Sequence, residues 1–356
     1  MLVIGVDAGG TSTRAVLATG EGRVVGFGRG GSGNPTSSGL PAALAEVRGA
    51  IAMALAAGGA SLSAVSGIVV AMAGHDARGG TSDWILDPLK EDGFSGELWF
   101  ESDLLAMYAS GAVAPIGYGV VCGTGASAVR VEGGRIVATA DGLGWLLGDR
   151  GSGFWIGRGA AAAAVAELDG LGPESALTAR VLQAAGIAGD GAHGRGIDGR
   201  PSALEQLVRV LYGQRPVQLA AFAPLVFDAA EEHDPVAEAI LRDAGEQLVR
   251  TIGLVQTAPG PVVVGGSIVL RSGEPQQMLR AHVAECFGEQ PFTLVDSGAA
   301  GATMLALRHA GVEVDEDTLA RVRAGIGEAM RAGAVVAAPA SGTAVSAAAR
   351  PRIDTL

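Results

Sequence analysis

Two short turns rich in glycine and threonine each follow an apolar run, and turns of this kind can bind anions. The first turn, residues 9–12, follows an apolar run that carries Asp7 near its end, and a second apolar run begins at Ala15. Glycine-rich hairpin tips expose backbone N–H groups, which bind phosphates well. Asp7 could hold the magnesium ion that accompanies a nucleotide. The alternative interpretation is an ordinary glycine hairpin.

The same pattern restarts in the middle of the chain. Gly119–Cys122 is an apolar run, residues 123–125 form a Gly-Thr-Gly turn, and Ala126–Val131 is a second apolar run. A third candidate strand follows both hairpins, at Arg23–Gly28 and at Arg135–Ala138. This internal repeat predicts two copies of one unit that face each other across a cleft.

Asp103 is the strongest candidate for a general base. The apolar run Glu97–Phe100 reads as a strand and delivers Asp103 to its carboxyl end, where a helical pattern begins at Leu104. A positioned carboxylate can take a proton from an attacking hydroxyl. The alternative is that Asp103 caps the following helix.

Composition excludes several classes of protein. The chain has 356 residues, enough for two domains, and a net charge of −12, which argues against a nucleic-acid surface. Its single lysine, Lys90, lies in neither a P-loop nor an apolar pocket, so any nucleotide is bound without a Walker lysine. Cys122 and Cys286 are far apart and the five histidines are scattered, which argues against a zinc site or disulfides.

The sequence also indicates the cellular location of the protein and the boundaries of its domains. Apolar stretches are interrupted before they reach the length of a membrane span, and no signal peptide is evident, so we expect a cytoplasmic protein. We expect an N-terminal domain at 1–114 and a second at 115–312. A C-terminal helix at 313–333 and a flexible Ala/Ser-rich tail at 334–356 complete the prediction.

Three glycine motifs in fixed order resemble those of the actin-type ATPase fold of sugar kinases. They are Asp7–Thr11, Gly123–Ala126 and Val264–Ser267. The string Gly144–Gly157 is similar to a signature of N-acetylglucosamine kinases and the related BadF/BadG/BcrA/BcrD ATPase family. The resemblance implies an α/β fold of duplicated actin-like ATPase (ribonuclease H-like) domains. Each would be a mixed sheet flanked by helices, with an interdomain cleft.

The resemblance also implies roles for individual residues. Asp103 would be the general base and Asp7 the magnesium residue. The ATP-binding set would be Gly9, Gly10, Thr11, Ser12, Gly123, Thr124, Gly125, Gly265, Gly266 and Ser267. The sugar-binding set would be Asn34, Asp103, Thr124, Gly142, Leu143 and Asp149. For Asn34 the alternative is an Asn-Pro turn. The chain departs from the family signature at Arg150, where glutamate is usual, and at Leu143, where glycine is usual. Trp145 and Trp155 are interpreted as apolar anchors of the core.

The expected activity is the ATP-dependent phosphorylation of the 6-hydroxyl of an amino sugar. N-acetylglucosamine is the first candidate substrate and glucosamine is the alternative. The expected assembly is a homodimer. A second alternative is an ATPase activator that bridges an iron–sulfur cluster, but neither Cys122 nor Cys286 lies in a cluster-like context. A sugar-sensing repressor would need a helix-turn-helix extension, and the chain starts directly on its first strand.

Overall fold

The computed structural model describes residues 1–73, 82–187, 194–196, 198–270, 273–285 and 287–332. Within these ranges the chain forms two five-stranded sheets. The first contains β1 (Leu2–Ala8), β2 (Thr13–Thr19), β3 (Val24–Gly30), β4 (Val65–Ala71) and β5 (Glu97–Glu101). The second contains β6 (Ile116–Cys122), β7 (Ala126–Glu132), β8 (Arg135–Asp141), β9 (Val262–Gly265) and β10 (Phe292–Val295). The expected tail at 334–356 and Cys286 lie outside the described residues.

The two sheets have the same topology, which confirms the predicted duplication. Their strand orders are β3-β2-β1-β4-β5 and β10-β9-β6-β7-β8, so each has an antiparallel three-strand meander whose first strand pairs with an added strand. β1 and β4 are parallel, as are β4 and β5. In the second sheet β6 pairs with β9 in parallel, and β9 pairs with β10 likewise. The carboxyl ends of these parallel strands therefore carry the loops most suited to bind a ligand.

Helices cover both sheets. The described helices are α1 (Pro35–Ser38), α2 (Leu40–Gly58), α3 (Asp83–Glu91), α4 (Asp103–Ala109), α5 (Gly153–Leu168), α6 (Ala176–Ala184), α7 (Ser202–Tyr212), α8 (Ala223–Glu231), α9 (Pro235–Gly253), α10 (Ser267–Leu270), α11 (Glu274–Glu285), α12 (Ala299–His309) and α13 (Glu316–Arg331). The periodicity of the sequence predicts helices at 40–57 and 236–257, and the structure has them at Leu40–Gly58 and Pro235–Gly253. One continuous helix is expected from Val217 to Ala230, but a 3₁₀ turn precedes α8, because Pro224 at the start of α8 has no N–H to continue the earlier turn.

Helix α2 lies directly on the first sheet. A Cβ atom at Gly26 or Gly28 of β3 would collide with the backbone of Ala54 or Ala50 in this helix. Among the described residues α2 is the one helix with the length and apolar composition of a membrane span. Its close backbone contact with β3 and its buried residues Val47 and Ile51 account for that composition as packing inside this domain.

The chain returns to the first sheet after it completes the second. Helix α12 follows β10, yet it packs on β1, where a Cβ at Gly5 would collide with the backbone of Thr303. Helix α13 continues onto β3, with Gly325 beside Val24. The segment 296–298 therefore connects the two sheets, as does the segment 110–115 between α4 and β6. The domain boundaries expected from the sequence stay a prediction, since α12 belongs by packing to the first sheet.

Candidate active site

Asp7 lies near the carboxyl end of β1 and contacts groups from two other parts of the chain. Its Oδ2 accepts a hydrogen bond from the N–H of Gly298 at 3.0 Å and lies 3.7 Å from Nη1 of Arg14 on the neighbouring strand. Burial raises the pKa of Asp7 to about 6. Arg14 and the Gly298 hydrogen bond lower this pKa, whereas the charges of Asp103 and Asp296 raise it further. Three carboxylates therefore share one electrostatic environment.

Asp103 is the first residue of α4 and directly follows β5. The Oγ of Ser102 caps the helix by accepting from the N–H of Leu104 at 3.2 Å, and Oδ1 of Asp103 accepts from the same N–H at 2.9 Å. Asp103 thus takes part in the cap, but Ser102 is the residue in the capping position. Burial raises the pKa of Asp103 above its ordinary value, and the hydrogen bond from Leu104 opposes that effect.

Glu101, two residues earlier, is occupied by another partner. Its Oε1 lies 2.7 Å from Nε2 of His309, and the His309 ring stacks on Trp99 with 4.7 Å between ring centroids. This pair links the end of α12 to β5. Of the two acids at the end of the fifth strand, Asp103 is the one whose charge acts on Asp7.

The segment Asp296–Gly298 is part of the site, and the sequence did not predict it as such. Gly298 is the residue before α12, and a Cβ there would lie 3.3 Å from Cγ of Asp7. The only sequence signal was a polar Asp-Ser-Gly step between a strand and a small-residue helix. Its contact with Asp7 joins residues that are 291 positions apart in the chain. A local sequence pattern cannot predict a contact over that separation.

The second hairpin tip and the third glycine loop lie side by side. The N–H of Gly123 donates to the carbonyl oxygen of Gly125 at 2.9 Å, which closes the tip. Gly266 has a φ of 108°, and a Cβ there would collide with the backbone of Cys122. A Cβ on Gly123 would lie 3.9 Å from the N of Ser267. These contacts bring together two of the three motifs that the resemblance assigned to ATP.

Both hairpin tips present free backbone donors. Among the described residues, the N–H groups of Gly10 and Thr11 have no hydrogen-bond partner, and the same holds for Thr124 and Gly125. The tip carbonyls behave differently, because those of Gly123 and Thr124 accept from the first N–H groups of α5 at 2.7 and 3.1 Å. Unpaired N–H groups in successive residues form an anion-binding concavity.

Asp149 is held against the second hairpin by a rigid loop. Its Oδ1 accepts from the N–H of Ala126 at 3.2 Å, and burial raises its pKa. Asp141 accepts from the N–H groups of Asp149 and Arg150 at 2.7 and 2.8 Å, so both ends of the loop are fixed. Asp149 itself has a φ of 57°, a conformation that aspartate tolerates better than most residues.

The other expected sugar-site residues surround this loop or the first hairpin. Gly142 has a φ of 72°, and its N–H donates to the carbonyl oxygen of Ala126 at 2.9 Å, while Leu143 is 65% exposed. The buried side chain of Asn34 caps α1, accepting from the N–H of Thr36 at 2.8 Å, and donates to the carbonyl oxygen of Ala73 at 3.2 Å. The turn-forming interpretation of Asn34 is thus present in the structure.

The two tryptophans of the signature string differ from each other. Trp155 packs against the core of the second domain, and its Nε1 donates to Asp243 at 2.7 Å. Trp145 is 37% exposed and touches Phe154, with 5.9 Å between ring centroids. The core-anchor interpretation is wrong for Trp145, because Trp145 and the following residues Leu146 and Leu147 are exposed.

Cys122 does not suit an iron–sulfur cluster. It is fully buried, its Sγ contacts the carbonyl oxygen of Gly151 at 3.4 Å, and burial raises its pKa to about 12. A cluster ligand must be an accessible thiolate. Within the described ranges, no group of three His, Cys, Asp or Glu side chains could hold a metal. Among the residues that the structure describes, the activator alternative therefore has no cysteine suited to hold a cluster.

The topology and the glycine loops define a two-domain protein of the actin-like sugar kinase fold. Residues 4–306 match the BadF/BadG/BcrA/BcrD ATPase family, and the chain belongs to that family. This confirms the resemblance inferred from the glycine motifs.

Individual relatives agree with this assignment. The chain is 24% identical over 328 residues to N-acetyl-D-glucosamine kinase of Dictyostelium discoideum, covering 86% of this chain and 98% of the relative. It is 27% identical over 256 residues to N-acetylmuramic acid/N-acetylglucosamine kinase of Clostridium acetobutylicum, covering 71% and 78%. Among solved structures, a candidate N-acetylglucosamine kinase from Chromobacterium violaceum superposes with a TM-score of 0.67 at 26% identity, covering 86% and 98%.

Proposed function

We propose that this protein is an ATP-dependent kinase that phosphorylates the 6-hydroxyl of an amino sugar, with N-acetylglucosamine as the first candidate. The observation that carries the proposal is the pair of glycine hairpins, which occupy equivalent places in the duplicated sheets and present unpaired N–H groups at both tips. The sequence relatives that are named as N-acetylglucosamine kinases support the choice of sugar.

Phosphoryl transfer depends on positioning and charge stabilisation more than on covalent chemistry. In the proposed mechanism the N–H groups of Gly10, Thr11 and Ser12 bind the phosphates from one side, and those of Thr124 and Gly125 from the other. Gly9 and Gly123 shape the two tips, because their N–H groups donate to the carbonyl oxygens of Ser12 and Gly125. Gly265, Gly266 and Ser267 hold the nucleoside. Two sets of backbone donors replace the lysine of a P-loop, in keeping with a chain whose one lysine lies on α3.

Asp103 is proposed as the general base that accepts the proton of the sugar hydroxyl. Its raised pKa makes the carboxylate a stronger base than an exposed aspartate. Helix α4 fixes the carboxylate through the hydrogen bond to Leu104, so the base is preorganised.

The residues around Asp7 fit a magnesium ion. Asp7 is a buried carboxylate close to the charges of Asp103 and Asp296, and the lone nearby cation is Arg14 among the residues that the structure describes. A divalent cation would offset that negative charge. Magnesium commonly uses one or two carboxylates and completes its shell with water and substrate phosphates. When bound, the ion would neutralise phosphate charge, and Asp7 would hold it there.

The acceptor sugar is proposed to lie between Asp103 and the loop that carries Asp149. Asp149 and the backbone of Gly142 and Leu143 would bind its hydroxyls, with Thr124 at the second hairpin. Asn34 would complete the site from the first domain, through the lone pair that its capping bond leaves. The finer expectations from the resemblance, a homodimer and a cytoplasmic location, stay part of this proposal. Light scattering measures the first directly.

A coupled assay of ADP release tests the function. Purified protein with ATP and Mg²⁺ is offered N-acetylglucosamine, glucosamine, N-acetylmannosamine, glucose and N-acetylmuramic acid, and N-acetylglucosamine is expected to support turnover. Asp103→Asn should fold normally by circular dichroism and lose about 10²- to 10⁴-fold in kcat, the usual contribution of a general base.

Glu101→Gln is the matched control, since it changes a neighbouring acid that pairs with His309. It should keep turnover within a few-fold of the parent protein. Near-normal turnover by Asp103→Asn would rule out Asp103 as the base. If none of the five sugars stimulates ADP release, the kinase proposal itself fails.

A further inference from the structure

Arg14 differs from the other half-buried arginines in making no hydrogen bond. Its side chain is 18% exposed, and its Nη1 lies 3.7 Å from Oδ2 of Asp7, which is beyond hydrogen-bond distance. Among the described residues, the other half-buried arginines each donate at least one side-chain hydrogen bond; they are Arg48, Arg130, Arg180 and Arg280. A guanidinium group has five N–H donors, so the covered Arg14 side chain keeps donors that the fold itself does not use.

The register of the first sheet places Arg14 beside the proposed phosphate site. Arg14 lies directly opposite Asp7 on β1, one residue pair away from the tip of the first hairpin. Directly opposite residues of an antiparallel pair project from the same face of the sheet. Helix α12 covers this face, since a Cβ at Gly5, two residues before Asp7, would collide with the backbone of Thr303. The guanidinium group of Arg14 is therefore on the same side of the hairpin as the carboxylate proposed for magnesium.

A second arginine lies next to Arg14 on this face. Arg29 on β3 is directly opposite Arg14, and it is exposed where Arg14 is covered. Like charges in directly opposite positions repel each other and destabilise a sheet. An anion bound beside Arg14 would relieve that repulsion, so the pair of arginines favours a negatively charged ligand at this end of β2.

The charge of Arg14 is only partly used by Asp7. The two side chains are close without a hydrogen bond, and burial raises the pKa of Asp7 to about 6 although Arg14 lowers it. An aspartate that is hydrogen-bonded to an arginine has a pKa well below its ordinary value. Arg14 is thus near enough to act on Asp7 but is not fixed to it, and phosphate oxygens that approach Asp7 can accept from its free donors.

We propose that Arg14 is a further catalytic residue, whose guanidinium group binds the γ-phosphate of the nucleotide and stabilises it during transfer. The inference rests on the proposed kinase function. In the transfer step the sugar hydroxyl oxygen bonds to the γ-phosphorus and the hydroxyl proton passes to Asp103. The bond between that phosphorus and the β,γ-bridging oxygen breaks, and ADP leaves with the bonding electron pair.

The role of Arg14 follows from the charge of this transition state. Negative charge is shared among the oxygens of the transferred group and the leaving oxygen, and catalysis depends on stabilising it. The hairpin N–H groups donate hydrogen bonds but carry no full charge. A planar guanidinium group adds a full positive charge and two parallel donors that match phosphate oxygens.

The test measures nucleotide binding and turnover on the full chain. Calorimetry gives Kd for a non-hydrolysable ATP analogue and for ADP, with Mg²⁺ present, in the parent protein, Arg14→Gln and Arg14→Lys. Steady-state assays with N-acetylglucosamine give kcat and KM for ATP, and circular dichroism checks the fold. Arg29→Gln is the matched control, because it removes the same charge from the neighbouring position on the same face.

Arg14→Gln should weaken binding of the ATP analogue about 10- to 100-fold, as expected for lost hydrogen bonds between charged groups. Binding of ADP should stay within a few-fold of the parent protein, because ADP has no γ-phosphate. We expect kcat to fall about 10²- to 10³-fold, the usual loss when one donor to a developing charge is removed. Arg14→Lys should restore part of both losses, and Arg29→Gln should change neither by more than a few-fold.

A second pH separates a phosphate contact from an effect that acts through Asp7. Because Arg14 lowers the pKa of Asp7, Arg14→Gln should raise that pKa above about 6. A loss caused by protonation of Asp7 would shrink as the pH rises from about 7 to about 9, where the carboxylate is ionised. The loss of a phosphate contact should persist at about pH 9.

The outcomes separate this inference from the proposed function. Arg14 is only a structural partner of Asp7, and the inference is overturned, if Arg14→Gln binds the ATP analogue as the parent does or regains full activity at high pH. An equal loss for ADP, or an equal loss in Arg29→Gln, overturns it as well. Should Arg14→Gln not fold, the same comparisons are made with Arg14→Lys. If no sugar is phosphorylated, the kinase proposal fails, and Arg14 is judged by calorimetry alone, where the absence of an Arg14-dependent preference for the ATP analogue over ADP overturns the inference.

Discussion

Ionisation of the buried Asp7 carboxylate lowers the free energy of unfolding. Burial and two neighbouring acids raise its pKa from 3.8 to about 6, although Arg14 and the Gly298 N–H both favour the charged form. The unfolded chain loses this proton near pH 4, whereas the folded protein keeps it until about pH 6. The folded state therefore binds more protons in this window, and the contribution of Asp7 to stability falls as the pH rises through it.

Replacing Asp7 by Asn should stabilise the protein at pH 8. The amide is neutral and its oxygen can still accept from Gly298, so the cost of charging the buried carboxylate disappears. Each pH unit between the two pKa values corresponds to about 1.4 kcal/mol, so the gain in the free energy of unfolding should approach roughly 3 kcal/mol at pH 8 and vanish near pH 4. Urea unfolding of Asp7→Asn and the parent protein at both pH values measures this difference.

The exposed acid Asp317 provides the control, because Asp317→Asn changes the same group on the surface of α13. An Asp7→Asn protein that is less stable than the parent at pH 8 would show that the charge is favourable in the fold. Activity of this variant should fall in the same samples, because the proposed magnesium ion would lose its carboxylate.

The sequence predicted most of the chemistry-bearing residues but not how each is held. Asp7 and Asp103 were identifiable because both follow apolar runs and match family motifs. The capping geometry of Asn34 was one of two open interpretations, since an Asn-Pro step fits a turn and a ligand equally well. Trp145 was misassigned because a tryptophan in an apolar string usually marks the core.

At the scale of secondary-structure elements, local sequence pattern predicted some hairpins and helices and missed others. Alternating glycine turns and apolar runs fixed both hairpins and the long helices from local pattern alone. Helix α6 was not predicted, because its nine residues lie between glycine-rich segments and are too few to establish a clear helical period. The packing of α12 on the first sheet was not predicted either, because it depends on Gly5 and Gly301, whose missing side chains let backbones approach across the fold.

Gly5→Ala should displace α12 and reduce activity. The new methyl group would collide with the backbone of Thr303, and a helix backbone cannot yield as a flexible side chain does. Overpacking of this kind costs about 1 to 3 kcal/mol or more in the free energy of unfolding. Because the first turn of α12 follows Gly298, the shift should also weaken the contact with Asp7 and lower kcat.

Gly49→Ala is the matched control for this substitution. Gly49 lies inside α2 and a Cβ there meets no atom within 4 Å, so alanine should be neutral or stabilise the protein by up to about 1 kcal/mol. Thermal unfolding and kcat of the two variants are compared. Parent-like stability in Gly5→Ala would mean that α12 can slide on β1 without loss.

The proposed site draws its residues from both sheets. Asp7, Asp103 and the first hairpin come from the first sheet, whereas the second hairpin, the third loop and Asp149 come from the second sheet. The chain crosses between them at 110–115 and again at 296–298, and the second crossing carries the Gly298 N–H that binds Asp7. A ligand that bridges both hairpins therefore stabilises the relative position of the domains as well as its own contacts.

Binding of a non-hydrolysable ATP analogue should protect both hairpin tips from hydrogen exchange at once. The N–H groups of Gly10, Thr11, Thr124 and Gly125 have no partner among the described residues, so each should exchange rapidly in the free protein and slow when phosphates accept from it. Mass spectrometry of peptides that cover residues 9–12 and 123–126 measures the change. The β2–β3 turn at 20–22, at the opposite end of the first sheet, is the internal control and should not respond. Protection limited to one hairpin would show that the nucleotide is held by a single domain, and the two-sided phosphate clamp would then be wrong.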